Sequence, residues 1–309
     1  MKILGIGNAI VDVICKVNEN FISENNLTKG TMKLIFEENE FQNLLSNLKI
    51  ERTISGGSVA NSIVGLSQLG DEVGFIGKIS DDDLGNKYEV GLKNENVKYF
   101  YSKKKEKLPT GTCLILVTPD SERTMCTFLG TAGQINENDI NLDAVNKSEL
   151  IFLEGYLWDE GNPKKAFEKA IINSNKVAMS LSDKFCVERH KPHFLNLVKN
   201  KLDIIFANEE EIMSLIDTNN FDEVINFAKQ INKHLIITRG EKGAISVFHD
   251  KISEIGVKKN LKIVDLTGAG DLFAAGYLHE LIKNSSPKKC LEKGTELSSK
   301  IIQQIGARF

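Results

Sequence analysis

The chain predicts an α/β fold: a doubly wound, mostly parallel sheet with helices on both faces and a small β lid. Two observations predict it. Beyond Leu150 short apolar runs alternate with helical patterns, the arrangement of a parallel sheet covered on both faces. Two strand-rich stretches nearer the front, roughly 14–40 and 98–128, fit that sheet poorly and read as insertions forming a lid over its edge.

The first strand is Ile3 to Ile6, a buried apolar run delivering a polar loop at Gly7-Asn8. Thr28-Lys29-Gly30 is a turn signal ahead of a strand over Met32 to Ile35. Ser55-Gly56-Gly57-Ser58 precedes a helix over Val59 to Leu69, with Ile63, Val64 and Leu66 on its buried face and Gly70-Asp71 ending it. Val73 to Ile79 is another buried strand, followed by an acidic turn, Asp81 to Gly85. The charge run Lys103 to Lys107 reads as a solvated loop. Strands over Thr112 to Thr118 and Thr124 to Leu129 form a hairpin through Pro119-Asp120-Ser121-Glu122. The later strands are Ile151 to Leu153, Val177 to Ser180, Asp203 to Phe206 and Leu235 to Thr238. Helical patterns at Pro163 to Ser174, Pro192 to Lys199, Glu209 to Ile216 and Phe221 to Ile231 separate them. Residues 1–309 are read as a single domain.

With 309 residues, 41% hydrophobic and 26% charged, the composition is that of a soluble globular protein able to bury a full core without disulfide or metal staples. A net charge of −3 points away from nucleic acid or a membrane surface as the main partner. The five cysteines are scattered, with no Cys-x-x-Cys pair, so reduced thiols in a cytoplasmic protein are expected rather than a zinc or dithiol site. Asp12 interrupts the N-terminal apolar stretch too early for a signal peptide. No run is long enough to span a bilayer.

The most informative segment is Asp265-Leu266-Thr267-Gly268-Ala269-Gly270-Asp271-Leu272-Phe273. It places Gly268, Ala269 and Gly270 at a helix N-terminus, where free amides and the helix dipole favour an anion. Asp271 follows directly. A carboxylate beside an anion site can take the proton of an attacking hydroxyl while amides stabilise charge building on a phosphoryl group. By spacing alone Asp271 reads equally well as a capping residue.

Gly56-Gly57-Ser58-Val59-Ala60-Asn61 allows a tight turn against a ligand, with Asn61 one turn into the helix. It also reads as an ordinary glycine turn with a capping serine. Gly7-Asn8 with Asp12 at the end of the first strand suits vicinal sugar hydroxyls, or an Asx turn. Asn208 and Glu211, after the Ile204-Ile205-Phe206 strand, suit a hydrated Mg²⁺, though acidic residues simply favour a helix's first turn. Thr238 to Gly243, with Thr238 and Gly240, follows another strand and borders a nucleotide or forms a bare turn. His190 and His193 lack the partners of a metal site, and Tyr156 and Trp158 read as packing residues.

Together these segments resemble the ribokinase-like carbohydrate kinase family in its adenosine kinase branch, over essentially the whole chain. The 56–61 segment is similar to the family's first signature and Asp265 to Asp271 to its second. The resemblance implies a ribokinase-like fold, ATP as donor, Mg²⁺ as counterion, Asp271 as catalytic base and Gly268-Ala269-Gly270 as the anion hole. It implies that Asn8, Asp12, Gly57, Ser58 and Asn61 face substrate, that Asn208, Thr238 and Gly240 border the nucleotide, and that Asn208 and Glu211 stand near the metal. Arg123 resembles a lid-strand arginine that can face phosphate. Leu266 replaces the usual threonine beside the family's monovalent-cation site, which leaves potassium dependence open.

The expected function is transfer of phosphate from ATP to a primary hydroxyl of a small ribose-containing substrate, adenosine first, with ribose or another furanose as the alternative. Phe36, Phe100 and Phe128 are candidates to stack on a base; monomer and homodimer are both compatible. A dinucleotide oxidoreductase is disfavoured because Ile10 stands where Gly5-x-Gly7 needs its third glycine. A non-catalytic nucleoside or sugar binder has no use for Asp271.

Overall fold

A computed structural model describes residues 1–120, 122–158 and 163–309. Its early strands are β1 (Ile3–Ile6), β2 (Val11–Lys16), β3 (Met32–Ile35), β4 (Ile50–Ser55), β5 (Val73–Ile76), β6 (Lys98–Tyr99), β7 (Thr112–Val117) and β8 (Arg123–Phe128). The later ones are β9 (Leu150–Glu154), β10 (Val177–Ser180), β11 (Ile204–Asn208), β12 (His234–Thr238), β13 (Ala244–Phe248) and β14 (Lys251–Ile255).

The large sheet runs β14-β13-β12-β11-β10-β9-β1-β5-β6. Every pairing from β6 to β12 is parallel, and β13 and β14 add an antiparallel edge. The parallel strands are apolar runs buried on both faces: β1, β5 and β9 contain no exposed residue. That is why they carry no alternating pattern. The chain departs from β1 to β5 on one side and returns through β9 to β12 on the other. The reversal puts a crevice beyond the carboxyl ends of β1 and β9, where doubly wound sheets bind ligands.

A second sheet, ordered β3-β8-β7-β2-β4, forms the lid. The expected insertion ranges shift accordingly. The lid begins at Val11 and also takes Ile50–Ser55, whose first residues are exposed and carry no apolar run. Lys98–Tyr99 instead pairs with β5 in the large sheet. β7 and β8 pair antiparallel as the hairpin reading expects; Ser121 in its turn lies outside the described residues.

Two helices make the site. Ser58–Gln68 is buried along Val59 to Leu66 because it lies between the large sheet and the helix Ala269–Leu281. The second begins at Ala269 and is buried from Leu272 to Glu280. Elsewhere the acidic turn proves to be the start of a helix, Asp83–Asn94, capped by Asp82, which accepts the Gly85 N–H at 2.7 Å. The helix expected from Pro192 starts earlier, at Lys184, because Asp183 caps it; Pro192 sits inside, next to a kink at His190.

Candidate functional site

Asp271 lies where the N-termini of the two buried helices meet. Ser58 Oγ donates to its Oδ1 at 2.6 Å and Asn61 Nδ2 donates to its Oδ2 at 2.9 Å. One turn further along the same helix, Ser62 Oγ donates to the Asp271 carbonyl at 2.9 Å. The carboxylate therefore receives one donor on each oxygen from residues more than 200 positions away in sequence. Burial still holds its pKa above the usual carboxylate value, against the Ser58 and Asn61 hydrogen bonds and the Arg308 charge.

A cavity of about 370 Å³ opens on one side of this carboxylate. It is lined by Ser58, Asn208, Glu211, Thr238, Gly268 to Asp271 and the carboxyl end of β10. A second, of about 490 Å³, lies between the lid, the helix Asp83–Asn94 and the segment Gln304–Phe309, lined by Asp12, Asn61, Arg123, Arg308 and Tyr88 among others. Ser58 faces the first cavity and Asn61 the second, so Asp271 is held from both. Two compartments, one lined by the carboxylate and the other by its Asn61 partner, suit a donor and an acceptor that exchange a group.

The glycine loop divides its labour. Gly268 has φ +78°, and a Cβ there would meet Ala307 Cα at 2.6 Å, so only glycine fits the fold. Gly270 has ordinary backbone, and a Cβ there would meet nothing within 4 Å; its bareness faces the first cavity. The Ala269 N–H is turned back to the Leu266 carbonyl at 3.2 Å. The amides of Gly270 and Asp271 lie in the helix's first turn, where no helical carbonyl reaches them.

Other expected residues take different places. Asp12 lines the second cavity, its pKa pushed up to about 7 by burial, with Arg308 and Arg123 opposing and Asp271 adding to the rise. Asn8 is buried beneath the loop instead: its backbone and side-chain amides serve the Glu154 carboxylate, and its Oδ1 has no partner. Gly57, at φ +96°, packs directly over the Asn8 carbonyl. Arg123 donates to Asp265 Oδ2 at 2.7 Å and so ties the lid to the glycine loop. Asp265 in turn accepts from the Thr267 hydroxyl at 2.6 Å and from the Gly306 and Thr267 amides, and these bonds, with the Arg123 charge, outweigh burial to hold its pKa low.

Asn208 and Glu211 form a capping box: Asn208 Oδ1 accepts the Glu211 N–H at 2.8 Å, and Glu211 accepts from both amides of Asn208. The helix-start reading is thus realised, while both residues also line the first cavity. Burial pushes Glu211 up to about 7. Among the described residues no three His, Cys, Asp or Glu side chains cluster as a metal cage. Thr238 lines the first cavity; Gly240 is exposed and does not. Neither do Phe36, Phe100 and Phe128 line the second cavity, whose aromatic residues are Tyr88 and Phe309. Phe128 is buried against Phe41. Tyr156, read as packing, lines the first cavity.

Two residues escaped the sequence reading. Glu154 ends β9 fully buried and accepts the Val59 N–H at 2.9 Å, capping the first helix; burial pushes its pKa up to about 7. Only its position at a strand end could have flagged it. Arg308 reaches Asn61 across 247 residues, donating through Nε to Oδ1 at 2.9 Å. No local pattern announces such a contact.

Residues 26–309 match the family model described as pfkB family carbohydrate kinase. The chain belongs to that family. Among curated relatives, adenosine kinase 2 of Arabidopsis thaliana is 26% identical, with 99% of this chain and 95% of the relative covered. The 5-dehydro-2-deoxygluconokinase of Mesomycoplasma hyopneumoniae strain 7448 is 27% identical, covering 87% and 83%. The adenosine kinase structure from Sinorhizobium meliloti superposes with a TM-score of 0.91 at 34% identity, covering 100% and 95%. A probable sugar kinase from Rhizobium etli CFN 42 gives 0.89, also at 34%, covering 99% and 94%. The fold is ribokinase-like and the pfkB protein is a small-molecule kinase of the adenosine kinase branch. No helix among its described residues is long and apolar enough to cross a membrane.

Two predictions follow from this geometry. Gly268→Ala should lower the melting temperature by several degrees, whereas Gly270→Ala should leave it within about 2 °C yet raise the KM for ATP several-fold; calorimetry and steady-state kinetics on both variants would separate the roles. Glu154 and Asp12 have folded pKa values near 7, above their unfolded values, so the native state binds more protons between about pH 4 and 7. Stability should therefore fall as pH rises through that window. Glu154→Gln should flatten the slope of unfolding free energy between about pH 5 and 7, measured by urea denaturation of variant and wild type at several pH values; an unchanged slope would count against a raised Glu154 pKa.

Proposed function

We propose that this kinase transfers the terminal phosphoryl group of ATP to a primary hydroxyl of a ribose-containing acceptor, adenosine first, with Asp271 as the base. One observation carries the reading: the Asp271 carboxylate lines the first cavity and is hydrogen-bonded by Ser58, which lines that cavity too, and by Asn61, which lines the second. ATP would occupy the first cavity, its terminal phosphate at the amides of Gly270 and Asp271, and the acceptor the second.

The chain's own residues then act in sequence. Asn61 and Ser58 aim the carboxylate, and Asp271 accepts the acceptor's hydroxyl proton as the hydroxyl oxygen bonds to the terminal phosphorus and the bond from that phosphorus to the bridging oxygen breaks, releasing ADP. The first-turn amides stabilise the charge that develops on the phosphoryl oxygens. A hydrated Mg²⁺ fits the donor set at Asn208 and Glu211, where one buried carboxylate leans into the cavity without a full cage. When bound it would supply charge neutralisation of the phosphates. The lid's wall over the second cavity supports exclusion of water from the transfer.

A second reading has an observation of its own. Arg52, Lys87, Arg123 and Arg308 line the second cavity against the carboxylates of Asp12 and Glu95. An excess of cations suits an acceptor carrying a carboxylate, and a relative of this chain is named for such a sugar acid, 5-dehydro-2-deoxygluconate. Against adenosine, the cavity offers Tyr88 buried and already donating to the Gly56 carbonyl.

A coupled assay for ADP release with adenosine, ribose, fructose and 5-dehydro-2-deoxygluconate should give the highest kcat/KM with adenosine; highest turnover of the sugar acid would transfer the assignment to it. With the best acceptor, Asp271→Asn should retain binding by calorimetry and lose about 10²-fold or more in kcat. Turnover within tenfold of wild type would refute Asp271 as the base.

A further inference from the structure

Arg308 lies in the segment that follows the last helix, Pro287–Ile301, and its guanidinium enters the seam between the two cavities. Nε donates to Asn61 Oδ1 at 2.9 Å and one terminal nitrogen to the Gly56 carbonyl at 3.5 Å. Asn61 in turn donates through Nδ2 to Asp271 Oδ2 at 2.9 Å. Asn61 therefore stands between a cation and an anion, and only one orientation of its amide satisfies both. Reversed, its oxygen would face the carboxylate and its NH₂ would face the guanidinium, with acceptor against acceptor and donor against donor.

We propose that Arg308 is a positioning residue for phosphoryl transfer: it locks the Asn61 amide so that the amide aims the Asp271 carboxylate, and its charge balances the carboxylates of the seam. The planar fork is suited to this because it offers Nε to the amide and a terminal nitrogen to the loop carbonyl at once.

The charged and titratable surroundings of this seam come from several elements. Asp12 faces Arg308 from β2, Tyr88 from the helix Asp83–Asn94, Glu95 from just past that helix's end, and Asp271 from the late helix. Glu154, at the end of β9, feels Asp271, and Arg123 on β8 feels Asp12. Arg308 opposes the rise that burial imposes on both Asp12 and Asp271. Burial also lowers the pKa of Arg308 itself, an effect its anionic neighbours resist. Removing its charge leaves carboxylates facing one another with less to hold them ionised, so Asp271 would carry its proton to higher pH and act as a base over a narrower range.

The inference rests on Asp271 being the base, so its test reads that carboxylate directly as well as through turnover. In the intact free protein labelled with [¹³Cγ]aspartate, with the Asp271 resonance assigned from Asp271→Asn, Arg308→Gln should raise the Asp271 midpoint by about one pH unit. Arg308→Lys keeps the charge but not the planar Nε–H. It should leave the midpoint within about 0.3 unit of wild type while kcat, for whichever of adenosine, ribose, fructose or 5-dehydro-2-deoxygluconate the wild type uses best, falls about tenfold, one hydrogen bond's worth. An unmoved Asp271 midpoint in Arg308→Gln would overturn the electrostatic part. Wild-type kcat in Arg308→Lys would overturn the positioning part, even if Arg308→Gln fails to fold. Should the wild type accept none of the acceptors, the proposed substrates fail while the titration still decides the role of Arg308.

Discussion

A carboxylate buried where two helices meet, Asp271, is the constraint around which this molecule is arranged. Removing such a group from water costs several kcal/mol unless donors and charges replace the lost hydration. Here the replacements are Ser58 and Asn61 on its two oxygens, with Arg308 behind the second. None of these belongs to the element that carries Asp271. The site exists only when the early helix, the late helix and the segment after the last helix come together. Tertiary packing and the placement of this carboxylate are thus one problem, solved by the same contacts.

The same economy shows in how the carboxylates are graded. Glu154 lies deepest and spends its acceptor capacity on the Val59 and Asn8 amides, so it acts as a cap for the early helix. Asp265 is kept ionised by the Thr267 and Gly306 amides and by Arg123, so it serves as the fixed anion pinning lid to loop. Asp271 and Asp12 remain the carboxylates of the seam that face open cavity. Each group's protonation behaviour follows from its burial and from what donates to it or charges it, rather than from its residue type.

Much of this was legible in the sequence. The parallel strands announced themselves because burial on both faces leaves an unbroken apolar run, as in Leu150–Glu154 and Ile204–Asn208. The glycine loops were legible because a helix start needs special backbone, and Gly57 and Gly268 do adopt positive φ. Ile50–Ser55 was not, since a lid strand with exposed Ile50, Glu51 and Arg52 has no apolar run to betray it. Asn8 was misplaced for a subtler reason. A strand end points to the crevice, but whether a side chain enters it or turns beneath depends on a partner such as Glu154, which is distant in sequence. Arg308 illustrates the same limit: its function resides in a contact, and contacts across the fold have no local pattern.

The Asp265–Arg123 pair shows why the lid and the glycine loop should be considered together. Arg123 is on a lid strand, Asp265 opens the loop, and both are largely buried where they meet. A pair of this kind contributes little net stability, because desolvation offsets most of the attraction, but breaking one partner leaves a buried charge uncompensated. Its value is therefore in fixing where the lid sits relative to Thr267 and Gly268. The second cavity is walled by lid residues, Arg123 among them, on one side and by Asn61 and Arg308 on the other, so the pair ties one of its walls to the glycine loop. Lid position and loop geometry are then coupled through Asp265, which takes Arg123 from the lid and the Thr267 and Gly306 amides from the segments around the loop.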